Sequence, residues 1–175
     1  MKIKLVILDI DGVLTDGRKY YQTDGLPFAK TYCDKDFTAI KRLRGSGVQV
    51  CFLSGDERIN KAMAANRNID FYSARGKDKA SFVALFEERY TINKRDMLYI
   101  GDDLFDKTIM QTVGHAYCPQ DACKDIRNLC APENIVPKNG GDNVICEMYD
   151  MLLERTLVKD CTMKDIEDLD KRESF

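Results

Sequence analysis

Short, nearly uninterrupted apolar runs recur along the chain and alternate with segments of helical periodicity. The clearest runs are Leu5–Leu8, Val48–Leu53 and Met97–Ile100. Runs of this kind are typical of strands that are buried on both faces of a parallel sheet. Between them, apolar residues spaced three or four positions apart predict amphipathic helices. This alternation predicts an α/β fold with a doubly wound parallel sheet.

The remaining elements are predicted from capping residues and from shorter periodic segments. One helix is expected to begin after the cap residue Asp78 and to direct Phe82, Leu85 and Phe86 toward the core. Further helices are expected from Asp34 or Asp36 onward and over Glu57–Arg67, Leu104–Val113, Asp121–Leu129 and Val144–Leu157, with short strands over Ile69–Tyr72, Ala116–Cys118 and Ile135–Val136.

Residues 13–30 interrupt this alternation with turn signals and aromatic pairs. Asp24-Gly25 favours a tight turn, and Tyr20-Tyr21 and Phe28 favour short strands, so the segment is predicted to be a β-hairpin flap. No interval in the chain is long enough for a separate cap domain, because domains rarely fall below about 50 residues. We therefore expect residues 1–157 to form a single domain. The charge-rich segment 158–175 is expected to be a tail, either a short helix or a frayed end.

Asp9 and Asp11 directly follow the first apolar run and are two positions apart. Side chains two apart on an extended backbone point to the same side. Two carboxylates beside an apolar core raise each other's pKa unless a cation lies between them. A divalent cation with oxygen ligands removes this repulsion, and Mg²⁺ is the usual choice. One carboxylate could then attack an electrophile while its neighbour moves protons.

Polar residues also follow the other two clear runs. Ser54-Gly55 stands between a strand and a helix, which suits a phosphate, although a simple helix cap has the same pattern. Gly101 is followed by Asp102 and Asp103, and Asp106 comes three residues later. Since ligands bind beyond the carboxyl ends of parallel strands, these three strand ends predict one shared site.

Composition narrows the class of function. The chain has 175 residues and a net charge of −2, so a basic nucleic-acid footprint is not indicated. Its apolar runs are too short to span a bilayer, and its N-terminus shows no signal-peptide pattern, which makes the cytoplasm the expected location. It has seven cysteines without a Cys-x-x-Cys pair and a single histidine, so a zinc site is poorly supported.

The strings that follow the strands resemble the four motifs of the haloacid dehalogenase superfamily of phosphatases, in the family's order. The first is Asp-Ile-Asp-Gly-Val-Leu-Thr from Asp9, and the last is Gly-Asp-Asp-Leu-Phe-Asp from Gly101. The resemblance implies a Rossmann-like fold, Mg²⁺ as cofactor and hydrolysis of a phosphate ester. The implied roles are nucleophile for Asp9, acid and base for Asp11, phosphate binding for Ser54, Gly55 and Lys79, metal binding for Asp9, Asp11 and Asp102, and support for Asp103 and Asp106. Lys77 is the alternative to Lys79 as the third-motif lysine.

A narrower resemblance is to the capless phosphatases of 3-deoxy-ulosonate sugars. It is carried by Asp-Gly-Val-Leu-Thr-Asp-Gly, the flap, Lys35-Asp36 and Gly-Asp-Asp-Leu-x-Asp. The resemblance implies a homotetramer in which a neighbouring subunit completes the site. It also implies a small-molecule substrate, either 3-deoxy-octulosonate 8-phosphate or a nononate 9-phosphate of the sialic-acid type.

Two departures from this branch bear on the substrate. Asp56 stands where the octulosonate enzymes carry Arg, which favours a nononate 9-phosphate, although an acid at this position is equally typical of a helix cap. Arg58 and Arg67 would then meet the substrate carboxylate or lie on the solvated surface. Asn143 replaces the last glycine of the branch's Gly-Gly-x-Gly segment. In the branch this segment reaches the neighbouring subunit's site and usually carries a nearby Arg, and Lys138 is the candidate to replace that cation.

A third possibility belongs to another class. The branch resembles the C-terminal domain of animal acylneuraminate cytidylyltransferases, which serves assembly rather than turnover. The intact set Asp9, Asp11, Lys79 and Asp102 discriminates against this scaffold, because a non-catalytic domain does not need it. The sequence therefore favours an Mg²⁺-dependent phosphatase of a nononate 9-phosphate, with the octulosonate 8-phosphate enzyme as the alternative.

Overall fold

A six-stranded parallel sheet forms the centre of the fold in the computed structural model, which describes residues 2–173. Its strands are β1 (Leu5–Leu8), β4 (Gln49–Ser54), β5 (Asp70–Ser73), β6 (Met97–Ile100), β7 (His115–Pro119) and β8 (Ile135–Val136). The order across the sheet is β5-β4-β1-β6-β7-β8. Strand order therefore reverses at β1, which pairs in parallel with β4 on one side and β6 on the other. The predicted doubly wound parallel sheet is confirmed.

The apolar run of β1 is buried on both faces, as its sequence predicts. Val6 and Leu8 belong to the core on one side of the sheet, and Leu5 and Ile7 to the core on the other side. Such full burial contributes about 1.5–3 kcal/mol for each large aliphatic side chain. The strand is thus fixed from both faces, and it delivers Asp9 at its carboxyl end.

Helices cover both faces of the sheet. The helices are α1 (Asp34–Gly45), α2 (Arg58–Asn66), α3 (Val83–Tyr90), α4 (Lys107–Met110), α5 (Lys124–Leu129), α6 (Val144–Glu154) and α7 (Met163–Glu173). Residues of α1, α2 and α6 contribute to one apolar core, and residues of α3, α4 and α5 to the other. Ile145 and Met148 of α6 are fully buried.

Two helix predictions need correction. The helix predicted after Asp78 starts as a 3₁₀ turn over Lys79–Phe82, and Leu85 is 43% exposed rather than buried. The core face of α3 is set by Phe82, Val83 and Phe86, and Leu85 lies about 100° around the helix from Phe86. Likewise, the segment predicted as one helix from Leu104 begins as a 3₁₀ turn over Leu104–Asp106 before α4.

The predicted flap is a hairpin of β2 (Tyr20–Tyr21) and β3 (Pro27–Ala29). Gly25 adopts a φ of +77° in its turn, and the Asp24 carboxylate accepts a hydrogen bond from the Leu26 amide at 2.9 Å. Between β1 and β4 the chain forms this hairpin and α1. The hairpin strands are short and exposed, so the flap depends on contacts at its base for its position.

A buried carboxylate from α1 caps α6. Asp36 is fully buried, and its Oδ1 accepts hydrogen bonds from the amides of Ile145 and Cys146 at 2.8 and 3.0 Å. Burial raises the pKa of Asp36 to about 6. Asn143, which precedes α6 in a left-handed conformation, makes no capping bond of its own. The cap therefore comes from a residue distant in sequence, and it joins α1 to α6.

The C-terminal segment packs on the rest of the chain as far as the structure describes it. α7 contacts α1, Cys161 and Leu169 are buried, and Lys41 lies 2.7 Å from Asp170. Of the two alternatives for the tail, residues 163–173 form the helix, whereas Ser174 and Phe175 lie outside the described residues. Among the helices of residues 2–173, none is long and apolar enough to cross a membrane.

Candidate active site

The carboxyl ends of β4, β1 and β6 lie side by side and open onto one cavity of about 1130 Å³. Asp9, Ser54 and Asp102 line this cavity. The place corresponds to the switch point of the sheet, where a crevice forms because the connections that follow β1 and β6 run in opposite directions. The structure thus brings the polar ends of the three clear apolar runs to one location.

Three carboxylates form the acidic centre of the cavity. Asp9, Asp102 and Asp106 each offer an oxygen atom, and these atoms lie within 4.8 Å of one another. Burial raises the pKa of Asp9 to about 7, although Lys79 opposes this shift. Burial, followed by the charges of Asp9, Asp106 and Asp103, raises the pKa of Asp102 to about 8. The centre therefore carries less positive charge than its ionised acids require.

Lys79, rather than Lys77, is the lysine that reaches the acids. Its Nζ lies 2.9 Å from Asp9 Oδ2 and 2.5 Å from Asp106 Oδ1. Burial disfavours its ammonium form, but the two carboxylates outweigh burial and raise the pKa of Lys79. Lys77 lines the cavity, with its Nζ 5.7 Å from the centre of the Phe82 ring. The structure thus separates the two lysines that the sequence left as alternatives.

Asp106 is fully buried and organises the surrounding loop. Its Oδ1 accepts hydrogen bonds from Lys79 and from the Tyr99 hydroxyl, and its Oδ2 accepts from the amides of Asp102 and Asp103. Four donors use the acceptor capacity of a carboxylate. Asp106 therefore holds Lys79 and the loop in place, and its oxygens are less available to a metal ion than those of Asp102.

The residues present fit a divalent cation. Within residues 2–173, the side-chain oxygens of Asp102 have no hydrogen-bond donor. Asp9 Oδ1 accepts one hydrogen bond, from the Ile10 amide at 2.8 Å, and Oδ2 faces Lys79. A Cβ atom at Gly12 would overlap the Asp102 carboxylate, so glycine at this position leaves space for it. Asp9 and Asp102 together offer hard oxygen ligands of the kind that Mg²⁺ binds.

The other acid of the last motif is placed differently. The Asp103 side chain is exposed, and its Oδ1 accepts a hydrogen bond from the Leu104 amide at 2.6 Å. It caps the 3₁₀ turn and is not a member of the three-carboxylate group. Of the two predicted supporting acids, Asp106 thus lies within the acidic centre and Asp103 at its edge.

Ser54 and Gly55 line the cavity opposite the acids. Ser54 is 2% exposed, and its Oγ accepts a hydrogen bond from Asn60 Nδ2 at 3.0 Å. Because Oγ accepts this bond, its hydroxyl proton is available to a ligand in the cavity. No heavy atom lies within 4 Å of a Cβ built on Gly55, so a ligand can approach its backbone. This arrangement suits the predicted phosphate site.

Asp11 faces a different set of partners from Asp9. Its Oδ1 lies 2.6 Å from Lys30 Nζ, and its Oδ2 accepts a hydrogen bond from Asn60 Nδ2 at 3.0 Å. Its side chain is not a member of the three-carboxylate group that Asp106 completes. The structure therefore places the Asp11 carboxylate with the flap rather than with the predicted metal ligands Asp9 and Asp102.

Asp56 is held by two lysines of the flap. Its Oδ2 lies 2.9 Å from Lys19 Nζ and 2.8 Å from Lys30 Nζ, and its Oδ1 accepts a hydrogen bond from the Arg58 amide at 3.3 Å. Although burial opposes ionisation, the hydrogen bonds from Lys30 and Lys19 lower the pKa of Asp56 to about 2. The bond from the Arg58 amide reaches the first residue of α2, but the N-cap residue of that helix is Glu57, so the cap interpretation of Asp56 is not supported. Asp56 does line the cavity.

The other candidate substrate residues are dispersed. Arg58 lines the cavity, but Arg67 lies at the far end of α2, where its guanidinium is 4.0 Å from the centre of the Phe37 ring. Lys138 is not among the residues that line the cavity. Gly140 is tightly packed, since a Cβ atom there would overlap the carbonyl of Gly12. In the same subunit, this segment thus supports the Asp11-Gly12 turn.

Sequence reasoning missed four polar contacts of this site: Lys19, Lys30, Asn60 and Tyr99. Tyr99 lies in a buried strand whose apolar pattern hides its hydroxyl. The sequence gives a weak indication for Lys19 and Lys30, because they directly flank the two flap strands, and long side chains there can reach the ends of the sheet strands. Asn60 carries none, since a polar residue in the first turn of a helix is ordinary.

The similarity of this chain to known proteins, in sequence and in structure, extends over most of its length. No protein-family model matches it. The 3-deoxy-D-manno-octulosonate 8-phosphate phosphatase KdsC of Haemophilus influenzae is 31% identical over 153 residues, 87% of this chain and 83% of the relative. The cobalt-bound structure of the deoxy-D-mannose-octulosonate 8-phosphate phosphatase from the same organism has a TM-score of 0.80 at 31% identity, covering 87% of this chain and 88% of that chain. A hydrolase of subfamily III A of the HAD superfamily, from Legionella pneumophila, has a TM-score of 0.80 at 26% identity, with 87% and 83% covered.

Proposed function

The chain belongs to the KdsC-type phosphatases of the haloacid dehalogenase superfamily, and from this we propose that it hydrolyses a 3-deoxy-2-ulosonate phosphate through an aspartyl-phosphate intermediate. The observation that carries the proposal is the meeting of Asp9, Lys79 and Asp102 at the ends of neighbouring strands. A carboxylate nucleophile, a cation beside it and a second carboxylate for a metal ion are the groups that phosphoryl transfer requires.

The reaction then proceeds in two steps on the two acids of the first motif. Asp9 Oδ attacks phosphorus, the bond between phosphorus and the sugar oxygen breaks, and protonated Asp11 gives its proton to that oxygen. In the second step, water attacks phosphorus, its proton passes to the Asp11 carboxylate, and the bond to Asp9 breaks. Lys79 and the Ser54 hydroxyl stabilise the charge on the transferred oxygens.

Mg²⁺ is the proposed cofactor, held by Asp9 and Asp102. When bound, it neutralises charge on the phosphate oxygens and on the two carboxylates. The raised pKa values of these acids support the proposal, because they reflect buried negative charge without a matching cation. The relative crystallised with cobalt shows that a phosphatase with this fold holds a divalent ion.

Cations around the cavity support an anionic sugar phosphate as substrate. Besides Lys79, the cavity is lined by Lys19, Arg58, Arg75 and Lys77. A molecule with a phosphate at one end and a carboxylate at the other can pair with cations at both ends of such a cavity. The first candidate is 3-deoxy-octulosonate 8-phosphate, after the activity named for the relative that is 31% identical.

A nononate 9-phosphate is the second candidate, and Asp56 is the observation that favours it. An acidic side chain at the cavity wall can accept hydrogen bonds from additional sugar hydroxyls. The two lysines on Asp56 oppose this preference, because they already occupy its Oδ2. Because the two lysines compete with sugar hydroxyls for Asp56, we rank 3-deoxy-octulosonate 8-phosphate as the first candidate substrate.

We further propose that the enzyme is a homotetramer in which a neighbour covers the cavity. Tyr20, Tyr21 and Phe28 on the flap are each more than half exposed, and Phe105 at the cavity is 81% exposed. Apolar side chains grouped in this way are typical of a protein interface. Sedimentation velocity of wild type and of the variant Tyr21→Glu tests this, and a monomeric wild type would contradict it.

The cytoplasm is the proposed location, since all seven cysteines are free thiols and free thiols persist in reducing compartments.

The proposed activity is tested by a panel of phosphorylated eight- and nine-carbon ulosonates, ranked by kcat/KM with and without Mg²⁺. Asp9→Asn, which is nearly isosteric, should abolish turnover of all of them while leaving the fold and oligomer intact. Asp56→Arg should shift the ranking toward octulosonate 8-phosphate. Wild-type protein without turnover of any member would favour the non-catalytic scaffold, and an active Asp9→Asn variant would exclude Asp9 as nucleophile.

A further inference from the structure

We infer that Lys30 of the flap and Asn60 of α2 are positioning residues that orient the Asp11 carboxylate for proton transfer. The inference rests on the proposed function, in which Asp11 is the acid and the base. It is carried by a partly buried polar cluster of Asp11, Lys30, Asp56 and Asn60, which joins the flap to two strand ends.

Lys30 is the centre of this cluster. Its side chain is fully buried, and its Nζ lies 2.6 Å from Asp11 Oδ1, 2.8 Å from Asp56 Oδ2 and 2.8 Å from Asn60 Oδ1. These three oxygens match the three donors of an ammonium group in number. The flap strands are short and exposed, so this buried lysine is also a main anchor of the flap base.

Asn60 holds the other oxygen of Asp11. It is fully buried, and its Nδ2 donates hydrogen bonds to Asp11 Oδ2 and to Ser54 Oγ, both at 3.0 Å. The orientation of its amide is determined by its other partners. Lys30 can only donate, and both Lys30 and the Tyr32 hydroxyl lie at Asn60 Oδ1, so Nδ2 must face the carboxylate.

Each oxygen of Asp11 is therefore held by a different element, Oδ1 by the flap and Oδ2 by α2. A rotation of the carboxylate would break both contacts at once. Packing alone does not explain a buried lysine here, since apolar residues of similar volume usually stabilise a fold at least as well as a buried ion pair. The arrangement does explain how a proton-transfer group on a turn is kept in one orientation.

The flap offers a matched control in Lys19. This residue forms an ion pair with the same Asp56 Oδ2 as Lys30, also from the flap, but it has no direct contact with Asp11. Lys19→Met and Lys30→Met thus remove the same charge from the same carboxylate. The two variants differ in whether Asp11 loses a partner in direct contact, since Lys19 acts on Asp11 only through its charge.

The test separates the two chemical steps with p-nitrophenyl phosphate in a stopped-flow instrument with Mg²⁺. Its leaving group departs without a proton, so formation of the aspartyl phosphate does not need Asp11, whereas its hydrolysis does. Lys30→Met and Asn60→Leu should raise the ratio of the burst rate to the steady-state rate by about tenfold or more. Lys19→Met should keep the wild-type ratio within about twofold, whatever its KM.

Misfolding does not mimic this result, because the burst amplitude counts the competent sites and the ratio is independent of their number. A second readout compares the two leaving groups. The sugar alcohol needs a proton to depart, so in Lys30→Met and Asn60→Leu the turnover of the sugar phosphate should fall by a larger factor than the burst rate with p-nitrophenyl phosphate. An unchanged ratio in both variants, with active wild type, overturns the inference alone. The same rise in Lys19→Met also overturns it, whereas an inactive wild type overturns the proposed function instead.

Discussion

The two acids of the first motif are two residues apart but occupy opposite environments. Asp9 lies among core elements, against Lys79 and near Asp102 and Asp106, and burial raises its pKa to about 7. Asp11 lies against the flap and α2, in a cluster where each acid has a lysine partner. One half of the site thus carries excess negative charge, and the other half is balanced.

This difference indicates how the work is divided. The acid-rich half is built from the ends of β1 and β6 and from the 3₁₀ turn that begins at Lys79. These elements pack in one apolar core, so the geometry of this half is fixed by the core. The balanced half depends on side chains that reach across from a surface hairpin. The proposed metal ion belongs to the first half, and the proposed orientation of the Asp11 carboxylate belongs to the second.

The largest expected effect comes from removing the cation of the acid-rich half. Lys79→Met leaves Asp9 and buried Asp106 without their partner, so we expect kcat to fall at least about 10²-fold. The free energy of unfolding should fall by about 3 kcal/mol, because a buried charge loses its partner. Kinetics with Mg²⁺ and urea unfolding measure both effects.

Tyr99→Phe is the control for Lys79→Met, since it removes the hydroxyl that contacts both Asp106 and Lys79 but leaves the charges intact. Its cost should be about 1 kcal/mol. If Lys79→Met kept activity within tenfold of wild type, Lys79 would have no place in phosphoryl transfer.

The next effect is a contrast in pH dependence between the two halves. The pKa values of Asp9 and Asp102 are raised from 3.8 to about 7 and about 8, so the folded, metal-free protein takes up protons before the unfolded chain does. Its stability should therefore increase by about 2 kcal/mol as the pH falls from about 7 to about 6. The contribution of Asp56 to stability has the opposite pH dependence. Its lowered pKa stabilises the fold at pH values above the ordinary pKa of 3.8, and this stabilisation is lost as the pH falls toward about 2.

Urea unfolding across this pH range measures the contrast, with EDTA or with excess Mg²⁺. Asp102→Asn should remove about half of the pH dependence of the metal-free protein. Excess Mg²⁺ should reverse its sign in wild type, because the ion binds the ionised carboxylates. A metal-free protein that becomes more stable toward alkaline pH would show that the acid-rich half is not short of positive charge.

The smallest effect is expected at Asp103. Asp103→Asn retains an acceptor for the Leu104 amide and changes a charge outside the three-carboxylate group. Activity should stay within about threefold of wild type, and the free energy of unfolding should change by less than about 1 kcal/mol. Isothermal titration with Mg²⁺ checks the assignment, because a tenfold weaker affinity would make Asp103 a ligand.

Much of the fold was predictable because the strongest signals were local. The fully apolar β1 and the strand that ends at Ser54 are indicated by short runs, and the flap by Asp24-Gly25. Leu85 was placed on the wrong side because the helical spacing of three apolar residues did not reveal which face meets the sheet. The substrate preference drawn from Asp56 is likewise weakened by a contact with Lys19, which no spacing rule predicts.

By itself, the sequence determined the parallel sheet and the meeting of Asp9, Ser54 and Asp102. Polar residues that follow buried parallel strands must share one edge of the sheet. Only the tertiary structure decided which groups the other carboxylates contact. Asp106 contacts Lys79 and Tyr99, Asp11 contacts Lys30 and Asn60, and Asp36 contacts the amides of α6. These contacts join segments far apart in the chain, and their geometry depends on how the flap and helices pack, which local periodicity does not encode.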